Sequence, residues 1–301
     1  MLTARAGELA ALMTAVCWTV TSMSFESAGK RVGSLSVNLI RLYIGFMLLS
    51  LTAWVSRGMI WPSDATQHAW FWLAGSGVVG FLIGDLLLFK AFVVVGSRVS
   101  MLMMSLVPPI SALLSWILLG EILTFISILG MVLTVGGVML VVLDREPATP
   151  EIRQRKFKHP VKGVLFAFGG ALGQALGLIM SKFGMADYDA LAATQIRVLA
   201  GIIGFTILFF ILKRWQRVFD ALRNRQAMTG ITLGSVFGPF LGVTASLYAV
   251  QHTQVGIAST IMAIVPILII PPAILVFKER VTLKETLGAV IAVGGVTILF
   301  L

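Results

Sequence analysis

The chain has 301 residues, 58% hydrophobic and 12% charged, with a net charge of +10. A mean hydropathy of +0.97 excludes an ordinary soluble domain, in which about 25% of residues are charged. The positive balance does not point to nucleic acid, because the basic residues sit in short segments between long apolar runs.

Each run approaches the length of about 20 residues that crosses the hydrocarbon layer as a helix. Backbone polar groups in lipid must be satisfied within their own segment, so the runs are expected to be helices. The alternating segments of about 10 residues that mark an outer-membrane barrel are absent. In chain order the predicted spans are 8–28, 36–56, 70–93, 97–118 and 124–143, then 163–183, 190–212, 228–249, 256–277 and 284–301. The first is long enough to span and no clear cleavage pattern follows it, so it reads as a span and not as a signal peptide. Cys17, the single cysteine, lies inside it and reads as a packing residue. The sequence therefore predicts an all-α polytopic membrane protein. It has two five-helix halves, 1–143 and 163–301, joined by the polar, basic linker 144–162.

The halves repeat. Residues 76–143 align with 234–301 at a constant offset of 158 without a gap, and 17 of the 68 positions are identical. The matches include Gly80 with Gly238, Gly84 with Gly242, Pro108 with Pro266, Glu121 with Glu279, Thr124 with Thr282, Gly130 with Gly288, and Gly136-Gly137-Val138 with Gly294-Gly295-Val296. At offset 156 the echo reaches Ile40-Arg41 and Ile196-Arg197. Five is odd, so the second copy enters the membrane in the opposite sense and the repeats are inverted, which is a transporter architecture. The loops after spans 1, 3, 5, 7 and 9 hold 17 basic residues, whereas the other side has Arg5 and Arg57. The positive-inside rule places the former in the cytoplasm and both termini outside. Trp54, Trp61, Trp70 and Trp72 bracket one outer loop as an interfacial belt.

The segment Leu119-Gly120-Glu121…Thr124…Gly130…Gly136-Gly137-Val138, preceded by Pro108, resembles the EamA type of the drug/metabolite transporter superfamily. So does Lys278-Glu279-Arg280…Thr282…Gly288…Gly294-Gly295-Val296, preceded by Pro266. Within that family the chain is similar to the YddG-type exporters of aromatic and other amino acids. The resemblance covers essentially the whole chain. It implies a metabolite exporter in which spans 1–4 and 6–9 surround a central cavity and spans 5 and 10 pack outside it.

Asp85 is the acidic residue set well inside a span, where charge is costly and faces a cavity or a partner. It reads as a ligand for a substrate amine or a coupling proton, or as the partner of a neighbouring helix, with Arg41 the nearest candidate. Arg41 and Arg197 either meet a substrate carboxylate or snorkel to the interface; Lys90 and Lys182, at span ends, read as snorkelling. Pro108 and Pro266 interrupt spans 4 and 9 and are candidate hinges. Candidate cavity residues are Trp18 and Ser22 on one stripe with Thr14 and Phe25, Gln174 opposite, Met101 with its neighbours Met104 and Ser105, and Thr244 and Tyr248 in span 8. Each has a packing alternative. The glycines at 75, 77, 80 and 84, and at 234, 238 and 242, predict close helix approach. Glu121 and Glu279 read as helix caps or partners of loop cations.

No metal or catalytic motif emerges, and Gly75-x-Gly77-x-x-Gly80 lies within a span, where packing explains it. The expectation is a secondary transporter of a bacterial inner membrane that exports small organic solutes, amino acids foremost, by alternating access. It needs no cofactor, its partners are its substrate and the bilayer, and it reads as a monomer. A lipid-modifying membrane enzyme and an exporter of organic cations are the alternatives.

Overall fold

The structure, a computed structural model, describes residues 5–88, 90–91, 94, 103–144, 160–268, 270–271 and 282–300. Among these residues every regular element is helical. In the first half α1 (Ala6–Val32) turns at Gly33, whose φ of 83° suits glycine, into α2 (Ser34–Arg57). Next comes α3 (Gln67–Gly77), capped by the Thr66 hydroxyl, which accepts from the Ala69 N–H at 3.2 Å. It runs on through a π-helical segment, Val78–Gly84, as far as Leu88. α4 (Val107–Leu119) and α5 (Phe125–Asp144) complete this half.

The second half holds α6 (Pro160–Met185), α7 (Ala190–Leu212), the short α8 (Trp215–Arg223) and α9 (Arg225–Ser235). A second π segment, Val236–Gly242, leads into α10 (Val243–His252), followed by α11 (Val255–Met262), α12 (Val265–Leu268) and α13 (Leu283–Leu299). Among the described residues, seven helices are long and apolar enough to cross a membrane: Ala6–Gly29, Ser34–Arg57, Gln67–Leu88, Phe125–Leu143, Val161–Met185, Ala190–Leu212 and Arg225–His252. α4 and α13 are shorter, and the ninth expected span is divided between α11 and α12.

The repeat is visible in the backbone. The two π segments begin and end at positions 158 apart. The turns at 105–106 and 263–264, which interrupt the fourth and ninth expected spans, keep the same offset. Pro108 and Pro266 are each the second residue of the helix that restarts, α4 and α12. Proline is tolerated there because first-turn N–H groups have no intrahelical acceptor. The prolines thus sit at breaks between helical pieces and do not bend a continuous helix. The sequence left 213–227 as a loop, yet α8 forms within it, with Val218 and Ala221 buried and Phe219 and Leu222 exposed.

Packing crosses between the halves nearly everywhere. α5 lies on α13, α2 on α7 and α4 on α11. α1 lies on α9, the second π segment and α10, while α6 lies on α3 and the first π segment, its mirror arrangement. Leu39, Leu42 and Leu49 of α2 share one core with Phe205 and Phe209 of α7. Lipid is as apolar as these side chains, so close van der Waals fit, not hydrophobic expulsion, holds such contacts. α5 and α13 show this best. A Cβ on Gly137 would meet the Gly288 carbonyl at 2.5 Å, and one on Gly295 would meet the Thr134 N at 2.6 Å.

Candidate functional site

The first π segment ends at Asp85, and three helices converge on that point. Arg41 of α2 donates through Nη2 to Asp85 Oδ2 in a close ion pair whose side chains are 15% and 11% exposed. Gln174 of α6 donates through Nε2 to Asp85 Oδ1 at 3.1 Å and to the Gly80 carbonyl at 3.4 Å. The Arg41 guanidinium lies 5.3 Å from the ring centroid of Phe25 in α1. Arg41 therefore pairs with Asp85, the inter-helix partnership the sequence offered as one reading.

Arg197 does not snorkel, which corrects the interfacial alternative. It is 4% exposed, on α7, and its backbone carbonyl touches the place where a Gly77 side chain would begin. Its side chain runs along the first π segment. Nη2 lies 3.4 Å from the Cβ position of Gly80, and the guanidinium lies 5.0 Å from the Phe81 ring centroid, one turn short of Asp85. The absence of side chains at Gly77 and Gly80 makes the channel that admits it. Arg41 and Arg197 are each the eighth residue of their helix, about 10 Å along the axis at 1.5 Å per residue. The helices enter from opposite faces, so the pair brackets the membrane interior symmetrically.

Trp18, which the repeat equates with Gln174, occupies the matching place against the second π segment. A Cβ on Gly242 would meet Trp18 Cδ1 at 2.9 Å. The repeat is thus broken in pairs: Asp85 contacts Gln174 at one π segment, while Val243 and Trp18 stand at the other. Thr244 is half-buried and donates to the Phe240 carbonyl at 2.6 Å. Ser22 is exposed and donates to the Trp18 carbonyl at 2.6 Å. Tyr248 is exposed and stacks on His252 at 4.0 Å between centroids, apart from the Asp85 cluster. Met101, the Pro266 side chain and Glu279 lie outside the described residues.

Polar contacts between the halves cross the face that carries the N-terminus. Glu121, after α4, pairs with Lys182 at the end of α6 at 2.6 Å and accepts from the Val255 N–H at 2.9 Å. It therefore caps α11 of the other half and not the helix that follows it. Lys182 also donates to the Thr253 carbonyl at 2.7 Å, so it is fixed and does not snorkel freely. Beside this lies a second cluster, in which Tyr188 donates to Asp64 at 2.8 Å, Arg57 donates to the same carboxylate, and Arg57 lies 3.7 Å from Asp189. Burial alone would raise Asp64, but the hydrogen bonds from Tyr188, its own backbone and Arg57 hold it below the usual carboxylate range. Burial and the Asp64 hydrogen bond push the Tyr188 phenol up to about 12. An open depression of about 440 Å³, lined by Thr124, Ser127, Lys182, Gln251, Thr253 and Ile257 among others, borders the Glu121–Lys182 pair.

The profile of the EamA-like transporter family matches residues 5–143 and again residues 161–301. The chain belongs to this family. Family members are generally membrane transporters of small metabolites, and the duplicated profile falls on the two halves described above. No curated protein matches the sequence. Among solved structures, one described only as "Crystal structure of protein" aligns over 97% of this chain and 94% of its own, with a TM-score of 0.76 and 18% identity. That likeness shows a shared fold.

Sequence reasoning missed the π segments and the burial of Arg197. The signal was present in the paired glycines 80/238 and 84/242 and in Pro239, which lies inside the second π segment. Spacing predicts that helices approach there, but not that the helix widens by one residue per turn.

Proposed function

We propose that this EamA-family chain is a secondary active transporter that exports small organic metabolites, amino acids including aromatic ones foremost, by alternating access. The linker face lies toward the cytoplasm of a bacterial cell in this reading. One observation carries it: a charged cluster, Arg41–Asp85–Gln174 with Arg197, sits at the interface of the inverted halves, where such transporters bind substrate. Charge is costly at this depth and marks a pathway or a partner network. In this reading the Glu121–Lys182 pair, farther along α6 from Gln174 toward the terminal face, acts as a latch above the cluster. The symmetric breaks before Pro108 and Pro266 are suitable points for the helical pieces to change angle.

The test is counterflow in proteoliposomes loaded with unlabelled amino acid, with uptake of labelled amino acid followed over time. Transient accumulation that depends on the internal solute is expected. Product formation without movement would instead favour a membrane enzyme, and accumulation of organic cations alone would remove the amino-acid assignment.

A further inference from the structure

Four side chains meet around the Gly80–Asp85 turn: two guanidinium groups, one carboxylate and one amide. Asp85 is already engaged on both oxygens, Oδ2 by Arg41 and Oδ1 by Gln174. An arriving ammonium group finds no unengaged acid there among the described residues. Arg197 is in the opposite situation. It is 4% exposed, its Nε has no hydrogen-bond partner, and no described carboxylate lies within ion-pair distance of it. The cluster thus carries one positive charge more than it neutralises.

We propose that Arg197 is the docking group for a substrate carboxylate, so the centre recognises organic monoanions and zwitterions by their carboxylate and rejects amines that lack one. The proposal rests on the transporter reading and adds the substrate class to it. A guanidinium presents donors in a planar fork that matches the two oxygens of a carboxylate. The Phe81 ring holds the face of the guanidinium and leaves its edge for hydrogen bonds. A carboxylate there restores neutrality to a site whose excess charge is otherwise paid for in desolvation. Gln174 is bonded both to Asp85 and to Gly80, the glycine against which Arg197 Nη2 lies. Val243, which follows the second π segment, shares one apolar core with Phe81, the ring beneath Arg197, and this core would receive the remainder of the ligand.

Equilibrium binding to the purified full chain in detergent, by calorimetry, tests this with two triads of probes. One is phenylalanine, 3-phenylpropionate and phenethylamine; the other is leucine, 4-methylpentanoate and isopentylamine. The acids and amino acids are expected to bind and the amines to fail. Arg197→Gln should weaken carboxylate binding about tenfold or more, the value of one charge-assisted hydrogen bond. Arg197→Lys, which keeps the charge without the fork, should fall between, and it serves if the Gln variant does not fold. Binding of the amines in preference to the acids, absence of carboxylate binding in both triads, or unchanged affinity in a folded Arg197 variant would each overturn the proposal. Carboxylate binding without counterflow would defeat the transport reading alone, whereas counterflow of amines alone would defeat this proposal and the amino-acid assignment and leave the transport reading standing.

Discussion

Thr134 Oγ1 lies 3.5 Å from the carbonyl of Ala292, and Ala292 is the residue that occupies the place of Thr134 in the second repeat. A residue can touch its own repeat equivalent only at the axis that relates the copies. The α5–α13 crossing therefore lies on the pseudo-two-fold axis, and the Gly-Gly motif that identifies each copy is the means by which the copies meet.

Gly137→Leu should consequently destabilise the protein by about 1–3 kcal/mol, the usual cost of overpacking, because its Cβ would fall 2.5 Å from the Gly288 carbonyl. Gly136→Ala, at the neighbouring position with nothing within 4 Å, should be nearly silent. Thermal unfolding in detergent separates the two. Equal stability of Gly137→Leu and the parent would show that the crossing is looser than described.

Asp85→Asn removes the anion that Arg41 faces and leaves a largely buried cation without its partner. A loss of about 3–5 kcal/mol is expected for breaking such a pair. Adding Arg41→Gln should return part of it, so the double variant is more stable than the sum of single effects allows. Strict additivity across the four proteins would mean that the pair is not energetically coupled.

If the Glu121–Lys182 pair acts as a latch on the terminal face, its strength sets how often that face opens. Its side chains are 12% and 24% exposed, and a pair of that kind contributes about 1 kcal/mol, equivalent to about fivefold in an open–closed equilibrium. Lys182→Met, in a background where Cys17 is replaced by Ala and Ser259, buried deeper along α11, by Cys, should raise the rate of labelling by an impermeant maleimide about that much. An unchanged rate would assign closure to the helices and not to the latch.

The Asp64 cluster gives a pH dependence of definite sign. Its carboxyl titrates lower in the fold than in the unfolded chain. The stability it contributes is therefore complete above the unfolded value of about 3.9 and is lost as pH falls through the folded value. Tyr188, pushed up to about 12, remains a donor throughout the neutral range. The difference in melting temperature between the parent and Asp64→Asn should be constant from pH 6 to 8, on the order of one titration range above that value, and shrink only in acid. A difference that grows on acidification would reverse the assignment.

The sequence made the architecture legible because duplication leaves two copies of the same Gly, Pro, Glu and Thr positions, and because spans announce themselves by length. It also singled out Asp85, since an acid in lipid is conspicuous. Arg197 was harder to read. A long cation near a span end has an inexpensive route to the interface, and only the groove at Gly77 and Gly80 reveals that it turns inward. α8 escaped notice because nine residues with five apolar side chains fall below any spanning length. The opposite face of the molecule contains Glu121, whose capped helix belongs to the other half and cannot be found from local spacing.

The crossing of α1 onto the second half has a consequence for synthesis. Thr21 meets the carbonyl of Gly234, 213 positions later, at 3.4 Å. At roughly 5–20 residues per second, the first helix stands in the bilayer for about ten to forty seconds before its main partner leaves the ribosome. Its hydroxyls can spend that interval on their own backbone, as Thr14 still does with Ala10 at 2.8 Å and Thr19 with Ala15 at 2.9 Å. A nascent chain stopped after the first five spans would be a set of inserted but undocked helices, so assembly begins only as the second copy arrives.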